Sequence, residues 1–186
     1  MEKTSKHIVL RLLIAVCFLW LPVNGARAFL ASKTYLSGEP LAIVLGLAPV
    51  IAGLFIFISA LVDSRIGIGI GAILYVLYQG YAIYVYYMNM QQQGLPDEAK
   101  KSFRSLIIST GLIILAFLIL ALACFIERID IALCIIAAIL FVVWFFVSRS
   151  GAPADQPQLQ RILTTCGSVL GTILMAMFFA VKKKKA

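Results

Sequence analysis

Long apolar runs alternate with short polar stretches along the whole chain, and the lengths of the runs predict membrane-crossing helices. The run around which the others group is Ile66 to Met88, IGIGIGAILYVLYQGYAIYVYYM, which holds no charged residue. It exceeds the roughly 20 residues that a helix needs to cross ~30 Å of hydrocarbon. Four further runs of the same kind lie at 41–62, 106–126, 131–147 and 162–181. The first apolar run is different. Leu12 to Leu21 forms an apolar core of only ten residues, follows Lys3, Lys6 and Arg11, and gives way to Pro22 and the small-residue ending Ala26-Arg27-Ala28. Ten residues at 1.5 Å each do not span the hydrocarbon, so residues 1–28 read as a signal peptide cleaved after Ala28. Cys17 is not a lipidation site on this pattern, because the bulky Val16 precedes it. The expected fold is all-α, a polytopic integral membrane helical bundle. It has five spans after the cleavable signal peptide, or six if that segment is retained.

The polar stretches say how the spans connect. Gly38-Glu39-Pro40 reads as a turn with Pro40 opening the next helix, and Pro49 sits near the middle of that span, where a kink is expected. Asp63-Ser64-Arg65 is the whole link between two spans, which forces a tight antiparallel hairpin; Glu127-Arg128-Ile129-Asp130 makes a second. The longest hydrophilic stretch is 89–105. Within it, Pro96 followed by Asp97 and Glu98 marks a helix start that runs into the third span, with Asp97 and Lys101 four apart. Residues 148–161, with Gly151, Pro153 and Pro157, read as an irregular loop.

Within the spans, two small-residue faces stand out. Gly67 and Gly71 form one G-x-x-x-G pair, with Gly69 on another face of the same helix. Gly167 and Gly171 form the second, on a stripe shared with Thr164, Ser168 and Thr172. Such faces let helix backbones approach closely, and the two are expected to pack on each other or on a second copy of the chain. Tyr75, Tyr78, Tyr81 and Tyr84 recur at three-residue steps with Gln79 near mid-membrane. Their polar groups want partners in hydrocarbon, so Gln79, Tyr78 and Tyr81 are expected to face protein or water. Trp144 and its neighbouring phenylalanines read as an interface anchor.

Composition agrees with this reading. Of 186 residues, 62% are hydrophobic and 13% charged, and the mean hydropathy is +1.02, beyond what a water-soluble domain of this length could cover with polar surface. The formal net charge of +8 arises largely at the ends, from Lys3, Lys6 and Arg11 and from Lys182 to Lys185. Cations there flank membrane segments, and no nucleic-acid partner is expected. Counting the first segment, there are six apolar runs, so both basic ends share one side. Nine of the 16 Lys and Arg then fall on that side, including Arg65 and Arg128, which makes it cytoplasmic. Asp63, Arg65, Glu127, Arg128 and Asp130 would meet there as ion pairs joining the two hairpins.

Chemistry-bearing motifs are scarce. The one histidine, His7, falls in the signal segment, the cysteines are unpaired in sequence, and no glycine-rich phosphate loop follows a strand. No interior position of the five later spans carries an Asp, Glu, Lys, Arg or His, which argues against an ion-coupled transporter. Neither a cofactor, a metal nor an enzymatic activity is expected. The signal segment followed by a charged-turn hairpin and a glycine-rich span is similar in layout to the small inner-membrane and pilin-type subunits of conjugative and type IV secretion systems. That likeness covers Met1 to about Met88, and the three later spans depart from a two-span layout. The expected role is a small structural or assembly subunit in contact with lipid and with other membrane subunits or copies of itself. The alternative is an oligomeric channel or carrier for a small uncharged solute, lined by hydroxyls and Gln79. A bacterial inner membrane with a cytoplasmic C-terminus fits the pattern; Lys183 and Lys184 would alternatively serve as a dilysine signal of the endoplasmic reticulum.

Overall fold

The computed structural model describes residues 2–35, 40–91, 96–150 and 158–183. The expected turn at Gly38-Glu39, the loop with Gly151, Pro153 and Pro157, and the tail from Lys184 lie outside the described residues. Among the described residues, helices make up every regular element: α1 (Glu2–Cys17), α2 (Trp20–Tyr35), α3 (Pro40–Leu61), α4 (Arg65–Met90), α5 (Asp97–Phe125), α6 (Asp130–Ser150) and α7 (Gln158–Lys183). From α2 to α7 each helix packs on the next, and α1 packs on α7 and α3, so the bundle closes into a ring.

Among the described residues, five helical stretches are long and apolar enough to cross a membrane: His7–Arg27, Arg65–Val85, Asp97–Phe125, Asp130–Ser148 and Arg161–Lys182. Leu47–Leu61 in α3 is a shorter apolar helix. The chain is therefore an all-α membrane bundle, and its exposed side chains say the same. Ile58, Val62, Leu77, Ile139, Phe146 and Leu163 are more than half exposed on its outside, a surface that suits acyl chains and not water.

One of those stretches is the segment that reads as too short in the sequence. Pro22 does not end the helix there. It lies in the first turn of α2, where backbone N–H groups have no intrahelical acceptor and none is lost. The Phe18 carbonyl that Pro22 cannot serve accepts instead from the Leu21 N–H at 3.1 Å, and Phe18-Leu19 becomes a single turn linking α1 to α2. Polar Asn24 and the flanking His7 and Arg27 then fall inside or at the ends of a 21-residue run.

The hairpin between α3 and α4 closes as its three-residue link requires. Asp63 takes a left-handed backbone, φ 61°, which Asp tolerates better than most residues. Its N–H and that of Ser64 return to the carbonyls of Ala60 and Ser59, at 3.5 and 2.8 Å, the paired pattern that satisfies a helix C-terminus. The Ser64 hydroxyl then accepts the Gly67 N–H at 3.1 Å and caps α4. In two residues the chain ends one helix and starts the next. At the other end of the ring, α5 begins behind Pro96 with Asp97 and Glu98 in its first turn, and Asp97 pairs with Lys100 at 3.6 Å, three residues on, not with Lys101.

The interior is filled with aromatic rings. Trp20 of α2 meets Tyr75 of α4 edge to face, Tyr75 lies 4.6 Å from Phe117 of α5, and Phe117 lies 5.4 Å from Phe141 of α6. Phe117 and Phe141 are fully buried. Ring contacts of this kind add about 0.5–1.5 kcal/mol each beyond the area they bury, and together they join four walls of the ring through its centre.

Candidate functional site

The polar and charged residues divide into two groups, one at a membrane face and one within the bundle. The face is built by the two short links and the end of α7. Arg65, the first residue of α4, reaches across to α5: its Nε donates to the Cys124 carbonyl at 2.7 Å and an Nη to the Ala123 carbonyl at 2.5 Å. Those carbonyls belong to the last turn of α5, where a helix lacks intrahelical donors and the dipole favours a cation. The same guanidinium lies 3.0 Å from the Asp130 carboxylate and 3.8 Å from Glu127, and its carbon stands 4.1 Å over the Phe179 ring of α7. Asp130 is fully buried and also accepts the Ile131 N–H at 2.7 Å, holding the first turn of α6. One side chain thus ties α4, α5, α6 and α7.

Asp63 belongs to a second pair. Its carboxylate lies 3.4 Å from Lys182, whose ammonium is 5.8 Å from the Phe178 ring. Phe178 also receives the edge of His7 from α1, with ring centroids 6.0 Å apart. The five residues expected to form one ion-pair group are therefore distributed unequally. Arg65, Glu127 and Asp130 come together, Asp63 pairs with Lys182 instead, and Arg128 is exposed outside both pairs. Lys182 and the two phenylalanines were the members that sequence reasoning missed. Each stands at the end of an apolar run, where a terminal lysine reads only as a topology signal.

Several members of the group within the bundle bond within their own helix. Gln79 donates to the Tyr75 hydroxyl at 2.7 Å, one turn back on the same helix. Counting from Arg65 at the charged face, a rise of 1.5 Å per residue puts Tyr75 ~15 Å deep and Gln79 ~21 Å deep. Tyr75 is buried about halfway along the span, and Gln79 and Tyr78 are half-buried beyond it. Tyr81 is 39% exposed and packs on Tyr84; at ~24 Å along the helix it approaches the far headgroup region, where a phenol meets water. The α7 stripe behaves in the same way. Thr165, Ser168 and Thr172 each donate to the carbonyl four residues earlier, on Arg161, Thr164 and Ser168. Trp144 is anchored between helices, its indole N–H donating to the Ser109 hydroxyl of α5 at 2.9 Å.

The two G-x-x-x-G faces are not each other's partners. Gly67 and Gly71 lie against α3, where a Cβ would collide with Ser59 and with Ile56 Cγ1. Gly69, on the other side of α4, lies against Cys124 and Phe125 of α5. Gly167 and Gly171 lie against the first segment, with Cβ positions 2.7 Å from the Cys17 carbonyl and 2.7 Å from the Phe18 ring. A sequence pattern reports that a face is small and carries no address for the helix that fills it.

No family model matches the chain, and neither a curated protein nor a solved structure does.

Proposed function

We propose that the protein is a small, non-enzymatic subunit of a larger membrane assembly, contributing a rigid bundle whose apolar outer surface meets lipid and neighbouring membrane proteins. The observation that carries this reading is the closure of the interior. The rings of Trp20, Tyr75, Phe117 and Phe141 occupy the centre of the bundle, where a solute path would have to run. Four of the groups that could have lined such a path, on Gln79, Thr165, Ser168 and Thr172, donate within their own helices. A conduction path needs polar groups turned towards the passing solute. The carboxylates at the charged face support a structural role in the same way, since Asp63, Glu127 and Asp130 each lie within 4 Å of a cation.

The setting we propose is a bacterial inner membrane, with the charged face and the C-terminus cytoplasmic. The support is the gathering of Arg65, Arg128 and Lys182 at that end of the bundle, with His7 of α1 beside them, as expected of the face that carries cationic flanks. Purification of the C-terminally tagged chain in mild detergent, followed by native mass spectrometry, tests the role. Stoichiometric partner proteins are expected. A lone homo-oligomer whose proteoliposomes pass small neutral solutes, with flux abolished by Gln79→Leu, would replace this reading with a channel or carrier.

A further inference from the structure

We infer that the N-terminal segment, α1 with α2, stays in the mature protein as a permanent wall of the bundle, although its sequence has the parts of a leader removed after Ala28. The inference rests on how two other helices are shaped to receive it. On the α3 side the fit is reciprocal. A Cβ on Gly25 would stand 2.6 Å from the Val50 nitrogen, beside Pro49, and a Cβ on Gly53 would stand 2.5 Å from the Pro22 nitrogen. Each helix sets a glycine against the other's proline, so the two backbones touch at a distance that no side chain permits.

The α7 side repeats the device with Gly167 against the Cys17 carbonyl and Gly171 against Phe18. Four glycines on three helices are thus committed to one contact, and the segment they receive fills the core. Ile14, Ala15, Phe18 and Leu21 are each no more than 2% exposed. Trp20 stands at the start of the aromatic series that crosses the centre. Without the segment, α3 and α7 would lose the element that links them, and the small-residue faces at Gly53, Gly167 and Gly171 would be left against lipid tails, which cannot fill a backbone-deep groove as a packed helix does. The Ala28–Phe29 bond, moreover, lies inside α2, whose helix continues to Tyr35.

Two measurements test this on the full chain. The C-terminally tagged protein is purified from membranes, and its intact mass and N-terminal sequence are determined. A mature chain that still carries α1 is expected, and a start at Phe29 would overturn the inference. Packing is then read by disulfide trapping. Gly171→Cys is combined with Cys124→Ser, Cys134→Ser and Cys166→Ser, so that Cys17 is the one native thiol left, and a protease site is placed between residues 151 and 157. A Cβ at position 171 lies 3.1 Å from that of Cys17, close enough for mild oxidation to join them after a small adjustment. After oxidation and cutting, the two fragments should migrate together until reduced. Separate fragments from a protein that keeps Met1 would overturn the packing. Should the cysteine variant fail to accumulate, the N-terminal sequence of the unaltered protein decides.

Discussion

The Arg65 guanidinium and the Asp130 carboxylate stand 3.0 Å apart, 15% and 0% exposed, where α4 and α6 begin and α5 ends. Removing one partner of a buried pair leaves the other charge stranded, at a cost of about 3–5 kcal/mol, whereas removing both can be nearly neutral. Arg65→Leu is therefore expected to lower the unfolding midpoint in mild detergent far more than Arg65→Leu combined with Asp130→Leu. Arg65→Lys should not rescue it. An ammonium cannot serve the Ala123 and Cys124 carbonyls and Asp130 while lying flat over Phe179. Equal losses in the single and double variants would show that the pair does not set the stability of this face.

Arg128 supplies the contrast. It lies next to Glu127 in the same link, yet it is exposed and outside both ion pairs. Exposed substitutions away from such contacts stay within about 0.5 kcal/mol. Arg128→Glu should leave the unfolding midpoint of the purified protein where it was, and a drop comparable with that of Arg65→Leu would place Arg128 in the cluster after all.

What could be read from the sequence, and what could not, divides along physical lines. The long apolar helices α4 to α7, the two tight links and the helix start behind Pro96 follow from hydropathy, chain length and local chemistry, which act within a few residues. Pro22 closes the apolar core when the sequence is read alone, yet a proline is a breaker inside a helix and harmless in a first turn; which applies depends on the turn at Phe18-Leu19. The glycine faces could be seen but not assigned. Their partners are decided by which helices become neighbours, as when Gly171 receives Phe18 from the far end of the chain. Lys182 reaching Asp63 across 119 positions has no local signature at all.

Tyr75 and Gln79 should prove modest contributors despite their depth. Hydrogen bonds within membranes average only ~0.6 kcal/mol, and this one joins two residues a single turn apart. Tyr75→Phe keeps the ring against Phe117 and Trp20 and removes the hydroxyl alone. A loss below about 1 kcal/mol is expected in an SDS unfolding titration. Tyr75→Ala, which opens the aromatic series, should cost about 3–5 kcal/mol, as large-to-small substitutions of buried aromatics do. If the phenylalanine variant were as damaging as the alanine, the hydroxyl and not the ring would be the important part.

Glycine-to-alanine substitutions should separate the packed faces from the open ones. At Gly53 a methyl group meets Pro22 backbone and ring atoms at 2.5 and 2.6 Å, and at Gly167 it meets the Cys17 carbonyl at 2.7 Å. Neither neighbour can swing aside as the tip of a flexible side chain would, so helices must separate, and overpacking of this kind typically costs 1–3 kcal/mol. Gly80 and Gly111 have nothing within 4 Å of an added Cβ, so alanine there is expected to stabilise by a few tenths to about 1 kcal/mol through helix propensity. Melting curves of the four single variants give the ordering directly. Destabilisation at Gly80 or Gly111 in the isolated protein would mean that a surface left open in the single chain is filled in the purified particle, and a second copy packed there would be the first thing to look for.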